Sequence, residues 1–415
     1  MNIKKYINSV LYYVMAIILV INCQSMYITI PGLSSKLITL CTYGIFFVAI
    51  MIILIKGKYK KSDIVKIICI VAGLITYYGI YIYLLPISFG RLSGLIVVAL
   101  SFLSIYILNG RKELIQILEK YVNVIIIIAV ISLFFWIFAS ILKIIPSTGL
   151  ITSMWTGNDS VKFVKSYGYL YFEPQYAQFL FFKGVRNSAI FAEGPMASYN
   201  FSLALLSVIY MINDDKNKKD IKIFILVIAI ISTLSATGII MLGILCLKYL
   251  NTKKYDDIYK VIFRMLVNIV FCIVIIHMAY VTLSQKMQVN SGQLRSSDIL
   301  SAYNVWIDNI FFGTGIGDHT AIYNYLPYFR IKYKFFGLST GLMVLLAEGG
   351  IYGSMPYIYV FFRNIVESIR KMNINLFVVT ALVYYLWFMT YTPFRYINLL
   401  VLIILGTIKV STSKE

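Results

Sequence analysis

The stretch Arg186–Leu206 reads RNSAIFAEGPMASYNFSLALL and joins a polar motif to an apolar segment. Arg186 and Glu193 lie seven residues apart, Gly194-Pro195 follows, and no further charge occurs before Asp214. Charged side chains at the start of an apolar helix are costly to hold there unless they meet water, each other or a ligand. We therefore take this stretch as the centre of the molecule and interpret the other segments relative to it.

The composition is that of a helical membrane protein. Of 415 residues, 60% are apolar and only 13% are charged, and the mean hydropathy is +0.83. A soluble domain is about half apolar and about a quarter charged. Apolar runs of about 18 to 25 residues recur, each long enough to cross a hydrocarbon core of about 30 Å. Because these runs are continuous rather than alternating, the sequence predicts an all-α, polytopic integral membrane protein and not a β-barrel.

The distribution of charge predicts the topology. The net charge is +20, from 37 Lys and Arg against 17 Asp and Glu. Most basic residues fall in connections that would be cytoplasmic, which is the positive-inside bias and argues against nucleic-acid binding. Both termini are predicted to be cytoplasmic. The sequence predicts about 12 transmembrane helices, near Tyr6–Cys23, Leu37–Ile55, Ile64–Leu84, Leu92–Leu108, Val122–Ile145, Met196–Ile212, two within Lys222–Leu250, Val261–Leu283, Thr340–Phe362, Asn375–Tyr391 and Phe394–Ile408.

Two long extracytoplasmic segments, 146–195 and 284–339, are predicted within the single transmembrane domain of residues 1–415. The first is rich in aromatic residues, namely Trp155, Tyr167, Tyr169, Tyr171, Phe172 and Tyr176. Such side chains suit the headgroup level of a membrane or stacking on sugar rings, and the sequence leaves both open.

Two shorter regions depart from simple crossings. Lys222–Leu250 is apolar but has basic flanks at both ends, so we expect a hairpin of two short helices that turns near Ser235–Gly238. Its polar tip would lie at membrane depth, which is tolerated beside a cavity. The charged residues 111–120 predict a short amphipathic piece on the inner surface.

Five arginines fall outside the predicted cytoplasmic connections: Arg91, Arg186, Arg295, Arg330 and Arg395. Guanidinium groups suit bidentate capture of phosphate, so an outer cavity lined by them would suit a lipid pyrophosphate. Arginines at helix ends also serve as anchors that reach the interface, and this alternative is strongest for Arg91 and Arg395.

Three glutamates are also predicted on the outer side: Glu173, Glu193 and Glu348. Glu193 precedes Gly-Pro at a helix start, where a half-buried carboxylate can act as a general base. It can equally cap the helix N-terminus, where the dipole favours negative charge. Glu348 lies inside a predicted helix and can be a structural partner for an arginine.

Phe311–Asp318 reads FFGTGIGD and places Gly313, Gly315 and Gly317 in a tight loop. The amides of such a loop can meet an anion, although a plain turn has the same composition. The spacing matches neither a dinucleotide-binding fingerprint nor a phosphate-binding Walker loop. With two histidines and no outer carboxylate cluster, the sequence predicts no metal or other cofactor.

Four motifs together resemble the bacterial O-antigen and capsular polysaccharide polymerases of the Wzy type, within the O-antigen ligase/polymerase superfamily. The resemblance covers about residues 180–355. It rests on Arg186…Phe191-x-Glu193-x-Pro195, Leu234-Ser235-Ala236-Thr237-Gly238, Arg295…Trp306…Phe312-Gly313-Thr314-Gly315-Ile316-Gly317 and Ala347-Glu348-x-Gly350-Ile351-x-Gly353. Ala236 stands where many members carry Arg. No histidine occurs around Leu338–Leu342, where the related ligases place a His-Asn pair, and this favours a polymerase over a ligase.

The resemblance implies a metal-independent glycosyltransferase in the bacterial cytoplasmic membrane. It would transfer an undecaprenyl-pyrophosphate-linked glycan to a sugar hydroxyl of another lipid-linked repeat unit, beside membrane lipids, a chain-length regulator and a flippase. Arg186 and Arg295 are assigned to pyrophosphate and Glu193 to the acceptor hydroxyl. The candidate substrate-binding residues are Gly313, Gly315, Gly317, Arg330, Glu348, Glu173 and Arg395.

Three alternatives remain open from the sequence. An O-antigen ligase would use the same donor with a lipid A-core acceptor. A transporter or flippase of lipid-linked saccharides would carry charges through the depth of several helices, whereas the charges here fall mainly in loops. A subunit of the shape, elongation, division and sporulation type shares the many-helix outline but not these motifs.

Overall fold

The computed structural model describes residues 3–56, 59–85, 89–154, 162–179, 182–252, 291–333, 335–392 and 395–408, with scattered positions between 259 and 273. Within these residues the chain is mostly helical, as the composition predicts. The predicted helix at Val261–Leu283 lies largely outside the described residues.

The N-terminal third consists of five long helices: α1 (Ile3–Asn22), α2 (Ser34–Lys56), α3 (Lys61–Leu84), α4 (Phe89–Asn109) and α5 (Arg111–Phe135). A π-helical turn extends α5 to Ile141. By length and composition these five helices can each cross a membrane. Each agrees with a predicted apolar run, because such runs form uninterrupted helices when no turn residues divide them.

The inner-surface piece predicted at 111–120 is not a separate element, and this prediction is wrong. Arg111–Phe135 is one continuous helix. Glu113 in its first turn is buried, and its carboxylate accepts hydrogen bonds from the hydroxyl of Tyr12 and the ammonium of Lys56. A carboxylate with two such partners can be held inside a helix bundle instead of lying at the membrane surface.

The segment 146–195, which is predicted to be extracytoplasmic, contains strands that the sequence did not predict. Strands β1 (Gly149–Ser153), β2 (Lys162–Tyr167) and β3 (Tyr171–Glu173) form an antiparallel sheet, and β4 (Tyr176–Phe179) pairs with β5 (Phe182–Val185). The strands are short and follow a helix-rich pattern, so their alternation is a weak signal.

Two of the aromatic residues in this segment have a structural explanation. Tyr171 and Phe172 are fully buried. Tyr171 stacks on Phe135 of α5, and Phe172 meets the ring of Tyr27 edge-on. These two rings hold the sheet on the helices, whereas Tyr169 and Tyr176 are exposed.

Helix α6 (Gly194–Tyr210) lies in the middle of the main core, and most of its residues are buried. Helices α7 (Lys216–Ser232) and α8 (Ala236–Thr252) follow. These two helices and the turn between them match the predicted hairpin. The turn falls at residues 233–235, slightly earlier than predicted, and Leu234 adopts a positive φ of 51° there.

The C-terminal part contains α9 (Ser291–Asp308), α10 (Thr320–Asn324), α11 (Tyr328–Lys332), α12 (Gly341–Arg370), α13 (Ile374–Met389) and α14 (Tyr396–Gly406). Helix α12 is kinked at Gly350, whose φ is +57°. The apolar helices Ala236–Tyr249, Ile374–Met389 and Tyr396–Gly406 are shorter than the five long ones. The described residues thus support an all-α membrane protein in outline, and the number of crossings stays a prediction.

Candidate functional site

The loop before α6 is fixed by Asn187, which the sequence reading did not single out. Its side-chain amide donates to the hydroxyls of Ser132 at 3.1 Å and Ser232 at 2.9 Å, and its backbone amide donates to the carbonyl of Ser232 at 3.1 Å. Asn187 is fully buried. It therefore ties the Arg186 loop to α5 and to the end of α7 at once. In the sequence, this role of Asn187 had one signal, namely an asparagine followed by a serine before an apolar run.

Arg186 lies between the start of α6 and the end of α7. Its Nε donates to the carbonyl of Thr233 at 3.0 Å, and its Nη2 donates to the carbonyl of Leu234 at 3.2 Å. These carbonyls belong to the C-terminal turn of α7, which carries partial negative charge. A Cβ at Gly194 would lie 2.7 Å from Arg186 Nε, so only glycine leaves room for the guanidinium.

Arg186 interacts electrostatically with two other predicted site residues, Glu193 and Arg295. Burial lowers the pKa of Arg186 to about 10, Glu193 acts against this shift, and the positive charge of Arg295 adds to it. Arg186 therefore stays cationic at neutral pH. The structure brings Arg186, Glu193 and Arg295 close enough to interact, although Arg295 lies in α9, far along the chain from the other two.

Glu193 occupies the N-cap position of α6 without capping it through its side chain. Its backbone is extended, with φ −157° and ψ 159°, and its side chain makes no capping hydrogen bond. The amides of Met196 and Ala197 donate to its backbone carbonyl instead. Its carboxylate Oε2 accepts from Nε2 of Gln175 at 3.4 Å. The alternative of a side-chain helix cap is therefore not supported by the geometry.

Arg295 extends from α9 toward α13. It is half-buried, and within the described part of the chain its guanidinium makes no hydrogen bond or ion pair. It interacts electrostatically with the hydroxyl of Tyr385, which lies 3.5 Å from the carbonyl of Thr237 in the first turn of α8. The guanidinium is thus held near Arg186 with donors available to an anion.

Arg330 is buried, and its guanidinium is bonded to groups of the protein itself. Its side chain is 1% exposed and forms an ion pair with Asp298 of α9. Its remaining donors reach the carbonyls of Leu294, Phe335 and Gly337. With its donors occupied in this way, Arg330 holds α9 and the chain after α11 together. This arrangement gives Arg330 a role other than the predicted contact with substrate.

Asp298 joins the same clamp to the start of α12. Its Oδ2 accepts from the backbone amide of Ser339 at 2.9 Å and from the Ser339 hydroxyl at 2.6 Å. Burial raises the pKa of Asp298, and the positive charge of Arg330 and the Ser339 donors oppose that shift. Because Asp298 follows Arg295 by one helical turn, the clamp also fixes the position of Arg295.

The glycine-rich loop packs against the kink of α12. The amide of Thr314 donates to the carbonyl of Ala347 at 3.1 Å, and that of Gly315 donates to the carbonyl of Glu348 at 2.8 Å. The amide of Gly317 donates to Oε2 of Glu348 at 2.7 Å. These three amides have protein acceptors and hold the loop on the helix, and the contact of the glycines with an anion stays a prediction.

Glu348 partners a histidine and not an arginine. Its side chain is fully buried, and Oε1 is hydrogen-bonded to Nδ1 of His319. Nε2 of the same imidazole lies 2.8 Å from the hydroxyl of Tyr391. The sequence reading missed this Tyr391–His319–Glu348 chain, because three distant segments supply its members.

The remaining predicted residues lie elsewhere. Glu173 accepts from the hydroxyl of Ser140, in the π-helical turn after α5, at 2.6 Å and from that of Tyr167, in β2, at 2.9 Å. Arg395 precedes α14 and donates to the carbonyl of Asn22 at 3.3 Å. The side chain of Arg91 lies outside the described part. Within the described residues, no group of three or more His, Cys, Asp or Glu could hold a metal ion.

A scan of the chain against protein-family models finds no match, and a search of curated proteins finds none either. The fold and the site define a mostly helical protein with several helices suited to a membrane. At the start of its central helix, it brings Arg186 and Glu193 of one stretch together with Arg295 of another.

Proposed function

We propose that the protein is a polysaccharide repeat-unit polymerase of the Wzy type. It transfers an undecaprenyl-pyrophosphate-linked glycan to a sugar hydroxyl of another lipid-linked repeat unit. The observation that carries this proposal is the proximity of Arg186 and Arg295, two guanidiniums from separate segments: the positive charge of Arg295 adds to the burial that lowers the pKa of Arg186. Like charges held together in this way favour binding of an anion that relieves their repulsion.

A pyrophosphate leaving group fits this pair. When the glycosidic bond to pyrophosphate breaks, negative charge grows on the leaving oxygens. Guanidiniums fixed in advance stabilise that charge more in the transition state than in the ground state. Arg186 is fixed by two carbonyls at the end of α7, and Arg295 is fixed through the clamp on α9. Glu193 beside Arg186 is the acceptor-side group of this proposal.

The proposed function also implies a membrane and an orientation for the protein. It crosses the bacterial cytoplasmic membrane about 12 times, with both termini cytoplasmic. The segments 146–195 and 284–339 then lie on the outer face, where lipid-linked units are polymerised. Membrane lipids, a chain-length regulator and a flippase are the expected partners. The five long apolar helices agree with a membrane location.

Deletion of the gene followed by gel analysis of surface polysaccharide tests the function. We expect single repeats on lipid in the deletion strain and full-length polymer on complementation. Unattached long chains would instead indicate a ligase, and the absence of outer-face repeat units would indicate a flippase.

Complementation with single-site variants tests the site. We expect Arg186→Ala and Arg295→Ala to abolish long polymer while protein abundance stays normal. Arg370→Ala is the matched control, since Arg370 is exposed at the far end of α12 and has one long contact to Glu367 at 4.0 Å. Full-length polymer at normal levels from both Arg186→Ala and Arg295→Ala would contradict the assignment. We expect Glu193→Gln to abolish polymer at normal abundance, because Glu193 is the acceptor-side group of this proposal.

A further inference from the structure

Tyr391, His319 and Glu348 form a continuous hydrogen-bonded chain from a half-buried hydroxyl to a buried carboxylate. Tyr391 Oη lies 2.8 Å from His319 Nε2, and His319 Nδ1 bonds to Oε1 of Glu348. The histidine side chain is 20% exposed and the glutamate side chain is fully buried. A carboxylate on Nδ1 fixes the imidazole so that Nδ1 carries the proton and Nε2 accepts.

The Tyr391–His319–Glu348 hydrogen-bonded chain is held rigidly at its buried end, Glu348. The second oxygen of Glu348 accepts from the amide of Gly317, and the Glu348 backbone carbonyl accepts from Gly315 and from the hydroxyl of Tyr81. The loop that carries His319 is therefore fastened to the helix that carries Glu348. Rigid placement is what a proton-transfer group requires and is not needed for a solvent-exposed histidine.

Helices α9 and α13 connect the Tyr391–His319–Glu348 chain to the arginine pair. Tyr391 contacts both the main core and the smaller cluster in which Ala302 and Val305 of α9 pack against α12. Arg295 lies two turns earlier on α9, and its neighbour Tyr385 precedes Tyr391 by six residues. Tyr391 follows the end of α13 by two residues, after Thr390, whose backbone is extended with φ −139° and ψ 138°.

We propose that Tyr391, His319 and Glu348 are a proton relay for the acceptor hydroxyl, an inference that rests on the proposed polymerase function. Tyr391 Oη accepts the proton of the sugar hydroxyl and passes its own proton to His319 Nε2. The resulting imidazolium is stabilised by the buried carboxylate of Glu348. Tyr391 is the catalytic residue that contacts the substrate, and His319 and Glu348 act through it.

The step balances without any further reagent. The acceptor oxygen forms a bond to the anomeric carbon of the donor, and the bond from that carbon to the pyrophosphate oxygen breaks. The electron pair leaves with undecaprenyl pyrophosphate. The proton of the acceptor hydroxyl rests on the relay and then passes to the leaving phosphate or to water.

The relay supplies a base that Glu193 alone does not. The carboxylate of Glu193 interacts with the positive charge of Arg186 and accepts from Nε2 of Gln175. An imidazole whose Nδ1 is hydrogen-bonded to a buried carboxylate is oriented to accept a proton at Nε2. Glu193 is then left to orient the acceptor through Gln175 and Arg186.

Turnover by the purified full-length protein in lipid nanodiscs tests the relay. The substrate is the lipid-linked repeat unit extracted from the deletion strain. We expect Tyr391→Phe to lower kcat by about 10²-fold or more with KM little changed, because general acid–base catalysis contributes at this level. We expect a reaction that is slower in D₂O for the wild type. Tyr325→Phe is the control, since it also removes a tyrosine hydroxyl that makes a side-chain hydrogen bond, here to the carboxylate of Asp308, outside the relay.

A double variant separates a relay from a packing role. Members of one proton-transfer unit are not additive, so Tyr391→Phe combined with His319→Gln should lose little more kcat than the worse single variant. Imidazole added to His319→Ala should restore part of the rate, which decides the matter if Tyr391→Phe is poorly folded. Wild-type turnover by Tyr391→Phe, or additive losses without imidazole rescue, would overturn the relay alone. A wild-type protein that makes no polymer would overturn the polymerase function and the relay with it.

Discussion

Gly313 and Gly350 pack backbone against backbone where the glycine-rich loop meets the kink of α12. Both adopt positive φ values, +67° and +57°. A Cβ on Gly313 would fall within 3.0 Å of the Glu348 carbonyl, and a Cβ on Gly350 would fall equally close to the Gly313 amide and the Phe311 carbonyl. The glycine-rich loop and the Gly349-Gly350 kink thus form a single contact. This contact brings Glu348 close to His319.

Alanine at either glycine should destabilise the fold. Backbone strain at a positive φ costs about 1–3 kcal/mol, and the clash with backbone atoms adds to that cost. We expect Gly313→Ala and Gly350→Ala to lower the thermal midpoint of the purified protein. Gly79→Ala in α3 is the control, because a Cβ there meets open space. Equal midpoints for Gly350→Ala and Gly79→Ala would show that the loop does not pack as described.

Substitutions in the Asp298–Arg330 clamp should lower the free energy of unfolding as they do in a buried ion pair. Both side chains are at most 2% exposed. Removing one partner leaves the other charge buried, which costs about 3–5 kcal/mol. We expect Arg330→Met and Asp298→Asn each to lower the free energy of unfolding by that order. Combining them should lose less than the sum of the two, as a double-mutant cycle would measure.

The matched comparison for this clamp is the exposed pair Arg370–Glu367. An exposed ion pair contributes about 0–1 kcal/mol, so Arg370→Ala should leave the unfolding free energy almost unchanged. Additive losses for Arg330→Met and Asp298→Asn would contradict a direct coupling between the two side chains.

Gly194 should matter for activity more than for stability. A Cβ there would lie 2.7 Å from Nε and 3.2 Å from Cζ of Arg186, which is the far end of a flexible side chain. We expect Gly194→Ala to displace the guanidinium from the carbonyls of α7 and to reduce polymer yield at normal protein abundance. The check is polysaccharide gel analysis beside quantification of the protein. Normal polymer from Gly194→Ala would mean that the position of Arg186 is unimportant.

The arginine pair also predicts a pH dependence of anion binding. Burial lowers the pKa of Arg186 to about 10, so the side chain is protonated at neutral pH and loses its proton as the pH approaches that value. Affinity for inorganic pyrophosphate should therefore be steady around neutral pH and fall on the alkaline side. The Arg186→Lys variant serves as the comparison. An affinity that rises with pH would have the wrong sign for this site.

The sequence predicted the helices better than the site. Continuous apolar runs define α1 to α5 because hydropathy depends on local composition alone. The short strands at 149–185 were missed, since their alternation is weak beside so many apolar residues. The proximity of Arg186 to Arg295 was inferred from a shared outer location and is present in the structure.

The rest of the site depends on contacts between distant segments. The interaction of Tyr391 with His319 joins two segments that no local pattern connects. The burial of Arg330 depends on Asp298 lying opposite it. A charge on an outer segment has the same local signature whether it meets a ligand or a buried partner, so the sequence could not separate Arg295 from Arg330.

Binding of undecaprenyl pyrophosphate to the purified protein in nanodiscs tests the central claim most directly. Hydrogen bonds to charged groups contribute about 1.5–3 kcal/mol each, so Arg186→Ala and Arg295→Ala should each weaken the Kd by roughly 10- to 100-fold. Arg370→Ala should bind as the wild type does. A Kd that is unchanged in both Arg186→Ala and Arg295→Ala would contradict the claim that these two arginines hold the lipid pyrophosphate.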